Sequence, residues 1–206
     1  VYIHEEANEE PMHTIPINTE ENSLEILGGK GRSLARMTRS GFRVPDGFIV
    51  TADAYRDFVN TCGIQEEIIE LAKPDLKNGY PNFEECSKKI QLIIENNQTP
   101  ESTINEIIEA YEGLSGTALR MAVRSSANAE DLPEFSFAGQ QETFLNISTS
   151  AAIIESVHKC WASLWTPQAM SYRHQNGIDQ SSVAMAVVVQ KMIPSEVSGI
   201  LFTVSY

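Results

Sequence analysis

The segment Val183 to Met192 (VAMAVVVQKM) constrains the fold more than any other part of the chain. It is rich in valine and nearly all apolar, with one amide, Gln190, set inside it. A run of this kind reads as a strand buried at the centre of a sheet. Other segments supply partners for it. Leu119 to Val123 reads as a second buried strand ending at Arg124, and Glu142 to Ile147 alternates like a third. Phe48-Ile49-Val50 is a short apolar run after the turn Val44-Pro45-Asp46-Gly47, and Ser198 to Val204 reads as a last strand.

Between these strands the spacing is helical. Ser33 to Arg39 places Leu34 and Met37 on one face, and Gly41 is suited to stop it. Thr51 is placed to cap a helix carrying Tyr55, Phe58 and Val59. Ile64 to Ala72, Phe83 to Glu95 and a helix opened by Thr99-Pro100-Glu101 follow. Ala151 to Leu164 aligns Ile154, Val157 and Trp161, and Pro167 to His174 forms a further helix. Strands and helices are thus mixed in an α+β arrangement. Residues 1–23 are polar, contain Pro11 and Pro16, and read as a partly extended arm. Residues 24–206 read as one domain that breaks off directly after a strand, as expected of a piece from a larger protein.

Composition excludes several functions. The 206 residues carry a formal net charge of -13, which argues against a nucleic-acid surface with its concentrated basic face. No apolar run is long enough to span a bilayer, and the first residues lack a signal-peptide core, so neither a membrane partner nor secretion is expected. A cytoplasmic location is the default. Cys62, Cys86 and Cys160 are widely spaced and odd in number, which fits reduced thiols rather than a disulfide framework or a zinc knuckle. The carboxylates Glu66, Glu67, Glu70, Glu84 and Glu85 fit a solvated helix face. The four histidines lie in the arm or on helices and suggest no catalytic set.

The negative charge does not exclude an anionic ligand. Exposed charges are screened beyond about 8–10 Å in physiological salt, so two or three local cations outweigh a diffuse acidic surface. Gly28-Gly29-Lys30-Gly31 offers glycines whose backbone can approach an anion and a lysine with a mobile charge. It is not the G-x-x-x-x-G-K-[ST] loop, and the same tetrapeptide also suits an exposed turn. Arg124, at the end of its strand, either pairs with Glu130, Asp131 or Glu142, or points into a site where its guanidinium matches phosphate oxygens. The stretch Ser125 to Gln141 is polar and small, and loops longer than about 12–15 residues are usually functional or disordered. Ser125, Ser126, Gly139 and Thr143 are small enough for close phosphate contact, while Phe135 and Phe137 either form a lid or pack beneath. Gln190 bonds either a nucleotide or a neighbouring strand's backbone.

Five segments carry a family resemblance. They are Gly28 to Gly31, VPDGFIVT (44–51), AVRSSANAEDLPEFSFAGQQETFLNI (122–147), CWASLWTPQAMSYR (160–173) and VVVQKMIPSEVSGILFT (187–203). Together they resemble the nucleotide-binding front end of the family that contains phosphoenolpyruvate synthase, pyruvate phosphate dikinase and rifampin phosphotransferase. The resemblance implies an ATP-grasp-like fold, with the chain supplying the first lobe and the start of the second. It implies ATP as ligand, with Lys30 and Arg124 on the phosphates and Gly139, Thr143 and Gln190 as further nucleotide contacts. Asn128, where threonine is common, and Phe135, where a small residue is common, depart from the pattern.

The resemblance also implies what should lie elsewhere. The Mg²⁺ ligands, the phosphohistidine domain and the acceptor-binding domain are expected outside these residues. In the complete enzyme ATP would phosphorylate the histidine, which passes the phosphoryl group to pyruvate. No catalytic side chain is expected here, and the piece by itself is expected to be inactive. A rifampin phosphotransferase is the nearest alternative, and Ser195 to Ile200 fits that branch at least as well. A non-catalytic nucleotide-binding or regulatory module is the third.

Overall fold

A computed structural model describes residues 12–77, 80–114, 120–127 and 142–199. Its main feature is a five-stranded sheet in which every pairing is antiparallel. The strands are β1 (Thr14–Pro16), β2 (Gly47–Val50), β5 (Met121–Ala127), β6 (Thr143–Ile147) and β7 (Met185–Lys191). Their order across the sheet is β1-β2-β7-β5-β6, so the valine-rich run is the central strand, as its composition predicts. All but the last of its residues are buried. A separate hairpin of β3 (Asp75–Lys77) and β4 (Tyr80–Asn82) was not expected from sequence, because its residues are mostly exposed and polar.

The helices are α1 (Leu24–Arg39), α2 (Ala52–Thr61), α3 (Gln65–Leu71), α4 (Glu84–Asn96), α5 (Glu101–Glu112), α6 (Ser150–Ser163) and α7 (Pro167–Gln175). Apart from α1, each falls within about two residues of its expected position. Thr51 caps α2 as expected, its hydroxyl accepting from Ala54 N at 3.3 Å. Thr149 and Thr166 do the same for α6 and α7. Glu66, Glu67, Glu70, Glu84 and Glu85 are all exposed on α3 and α4.

Helices α1, α2 and α6 pack on β7, and the contact between α2 and α6 is aromatic. Phe58 stacks on Trp161 at 5.1 Å, and Tyr55 meets the same ring edge-on at 5.9 Å. His158 lies in this stack too, 5.6 Å from Trp161, and burial lowers its pKa. Trp165 donates to the Tyr55 hydroxyl at 3.0 Å, and the Arg173 guanidinium lies over Trp165 at 5.2 Å. Arg173 is buried and donates to Leu164 O and Gln180 Oε1.

Within residues 1–23, Thr14–Pro16 form the edge strand β1. The backbone N–H groups of His13 and Thr14 donate to Glu106 Oε2 on α5, at 2.9 and 3.1 Å. Ile15 and Ile17 are buried.

Candidate functional site

Helix α1 determines how the site is built. It contains a break at Gly28, whose φ is 65° and ψ 176°. The Gly28-to-Gly31 stretch is therefore not a loop, as its composition suggested. Gly28, Gly29 and Gly31 are buried, and the latter two open the second half of the helix. Gly28 and Gly31 allow close packing. A Cβ on Gly28 would lie 2.0 Å from Ser126 O, and one on Gly31 would lie 3.1 Å from the Ile49 side chain. Gly31 N is also taken, donating to Ser126 Oγ at 3.1 Å.

Strand β5 differs from its expectation in one important way. It does not end at Arg124 but continues to Ala127, so Arg124 is a mid-strand residue. The cause is local. Ser125 and Ser126 look like loop residues, yet both are buried and hydrogen-bonded. Ser125 N donates to Glu142 O at 3.1 Å, and Ser126 Oγ donates to Leu27 O at 2.9 Å. Both serines therefore serve the interior rather than standing open for a phosphate.

The register assembles the remaining residues. Arg124 is paired with Thr143 on β6 and with Val188 on β7. Gln190 is paired with Ala122 on β5 and with Gly47 on β2. Alternation then puts Arg124, Thr143 and Gln190 on one face, together with Ser126 and Ile49. That is the face on which α1 lies, as the contacts of Ser126 and Ile49 with α1 demonstrate. Arg124 and Gln190 are diagonal neighbours on adjacent strands, a relation that spans about 7–8 Å.

Each side chain has a distinct setting. Lys30 is half-buried, and its Nζ donates to Ser125 O at 2.6 Å, directly beside Arg124 in the strand. Arg124 is half-buried. Among the described residues no carboxylate pairs with it, so the internal ion pair with Glu142 is not made. Thr143 is exposed. Gln190 is buried, and its Nε2 donates to Pro45 O, in the turn before β2, at 3.0 Å. Gly139, Asn128, Glu130, Asp131, Phe135 and Phe137 lie outside the described residues.

On α6, burial pushes the Cys160 thiol up to about 12, with Glu142 adding to the shift and Lys30 opposing it. Cys86 and Cys160 are buried and unbridged, and Cys62 is half-buried and unbridged, as expected of reduced thiols. The role of Ser126 was the feature that sequence reasoning missed. Its partners lie 95 and 99 residues away, and no local signal marks them.

Two cations, a hydroxyl and an amide are thus carried by three strands, β5, β6 and β7, and a broken helix. Among the described residues no group of three or more His, Cys, Asp or Glu side chains is placed to hold a metal ion. No helix among them is long and apolar enough to cross a membrane.

The probable phosphoenolpyruvate synthase of Methanocaldococcus jannaschii is 46% identical over 186 residues, covering 88% of this chain and 16% of that protein. The probable phosphoenolpyruvate synthase of Archaeoglobus fulgidus is 44% identical, covering 90% of this chain and 25% of that protein. The rifampicin phosphotransferase of Streptomyces sviceus is 43% identical, covering 89% and 21% respectively. The chain thus spans about a sixth to a quarter of the length of these relatives. The family model described as pyruvate phosphate dikinase, AMP/ATP-binding domain, matches residues 24–206, from the start of α1 through every strand that carries the site. With the match running over all of these elements, the chain belongs to the pyruvate phosphate dikinase AMP/ATP-binding domain family.

Proposed function

We propose that this chain is the ATP-binding part of an ATP-dependent phosphotransferase of the phosphoenolpyruvate synthase type, located in the cytoplasm. The fold is read as the first lobe of an ATP-grasp arrangement with the start of the second. Lys30 and Arg124 hold the phosphates, and Gly139, Thr143 and Gln190 contact the nucleotide. The observation that carries the reading is Arg124: a half-buried cation in the middle of a sheet, facing the α1 side, with no carboxylate partner among the described residues. A cation in that setting calls for an anion, because leaving it unpaired is costly. Lys30 is tethered next to it by Ser125 O.

The chemistry of these residues is electrostatic. Fixed donors aimed at phosphate oxygens stabilise the charge that develops as a phosphoryl group leaves. Mg²⁺ supplies charge neutralisation in such reactions, but it is bound through carboxylates, and this donor set has none. These residues therefore fit the anion and not the metal, whose ligands are assigned to the rest of the polypeptide. The phosphohistidine domain and the acceptor site are assigned there too, with pyruvate as acceptor.

ATP titration of the full-length protein tests the reading. Lys30→Ala and Arg124→Ala should each weaken binding about 10-fold or more, as loss of a charge-assisted bond implies. Unchanged affinity in both would remove the site. Offering pyruvate and rifampicin to the full-length protein separates the synthase from the antibiotic-modifying alternative, which the relative from Streptomyces sviceus keeps in view. Transfer to neither would favour a binding module.

A further inference from the structure

We infer that Ser126 is a positioning residue whose hydroxyl holds Lys30 in register with Arg124; the inference rests on the ATP reading of this site. In an unbroken helix, Gly31 N–H would donate to the carbonyl of Leu27, four residues earlier. Here the Ser126 hydroxyl is inserted into that bond. It accepts from Gly31 N at 3.1 Å and donates to Leu27 O at 2.9 Å. A side chain inserted into the ladder is a recognised cause of a helix break, and the break lies between these two residues, at Gly28.

The consequence falls on Lys30, the residue before Gly31. Three consecutive positions of β5 then act on one site. Arg124 offers its guanidinium on the α1-facing side, Ser125 accepts from Lys30 Nζ through its carbonyl, and Ser126 pins the backbone from which Lys30 extends. The spacing of the two cations is thereby tied to the rise of a single strand. Ser126 is fully buried and its hydroxyl is engaged on both sides, so it has no contact to offer a ligand. Its effect on binding must pass through Lys30.

A double-mutant cycle in the full-length protein tests this, read as ATP affinity. Ser126→Ala should weaken ATP binding about 10-fold in the wild-type background and less than about two-fold in a Lys30→Ala background, because coupled residues are not additive. General destabilisation would act equally in both backgrounds, so equal losses overturn the inference, as does no loss in either. If Ser126→Ala does not fold, the same cycle is run with Ser126→Cys, which keeps the side-chain shape at slightly larger size and weakens both bonds. If the wild type does not bind ATP, the proposed function fails separately. The hold on the Lys30 backbone is then judged from amide exchange at Gly31. Exchange should quicken at least about 10-fold in Ser126→Ala relative to neighbouring α1 amides, and unchanged exchange overturns the inference.

Discussion

Gly28 lies directly against Ser126: a Cβ added to Gly28 would come within 2.0 Å of the Ser126 carbonyl oxygen and 2.5 Å of its hydroxyl. The helix carrying Lys30 and the strand carrying Arg124 touch here backbone to backbone. Two requirements coincide at this residue. One is space, because the Ser126 carbonyl oxygen cannot move without moving β5. The other is conformation, because φ of 65° with ψ of 176° belongs to a region that only glycine enters readily.

Gly28→Ala should therefore be among the most damaging single substitutions in the chain. The strained backbone alone costs about 1–3 kcal/mol, and the clash adds to it, so a total above about 3 kcal/mol is expected. Urea unfolding with circular dichroism would measure it. A loss below about 1 kcal/mol would mean that α1 and β5 separate more readily than their contact implies. Gly41→Ala is the control, since it shares a positive φ but has nothing within 4 Å of its Cβ position.

Much of this architecture was legible in the sequence, and the failures have a common cause. The central strand was readable because its valines are buried on both faces, and α2 through α6 because their apolar residues repeat at helical spacing. Local chemistry also identified the cap at Thr51, whereas the caps at Thr149 and Thr166 emerge only from the structure. Ser125 and Ser126 misled because small polar residues after a strand resemble a loop. What makes them strand residues is Leu27, Gly31 and Glu142, all distant in sequence. The glycines at 28–31 misled in the same way. They resemble an anion-binding turn, yet they are small so that a helix can lie against a strand. Lys30, Arg124, Thr143 and Gln190 were singled out by residue type and by resemblance. That three of them share a face could only come from the strand register.

Cys160 should make the protein sensitive to alkali. Its folded pKa is pushed up from 9.0 to about 12, chiefly by burial. Between these values the unfolded chain has lost the thiol proton while the folded chain retains it. The folded state then binds more protons, so stability falls as pH rises through this window, by up to about 1.4 kcal/mol per pH unit for one group. Stability measured from pH 8 to 11 should fall more steeply in the wild type than in Cys160→Ala. Parallel curves would show that the thiol ionises equally well in both states. The fixed offset from the lost side chain does not enter, because only the slope is compared.

Gly47 should control nucleotide affinity without touching the nucleotide. It pairs with Gln190 across β2 and β7, and a Cβ there would meet Val189 O at 2.2 Å and Gln190 Cα at 2.8 Å. Both obstacles are backbone, so a methyl group must push the two strands apart. Gln190 is held at this point, through Nε2 to Pro45 O, two residues before Gly47. Separating the strands stretches that bond and turns the amide away from the face it shares with Arg124. Gly47→Ala should therefore weaken ATP binding about as much as Gln190→Ala, within roughly three-fold, and the double variant should be little worse than either single one. Affinities from titration calorimetry on the three full-length variants would decide it. Full additivity would mean that Gly47 acts only through general stability, and an unaltered affinity in Gly47→Ala would mean that the strands yield elsewhere and leave the Gln190 amide in place.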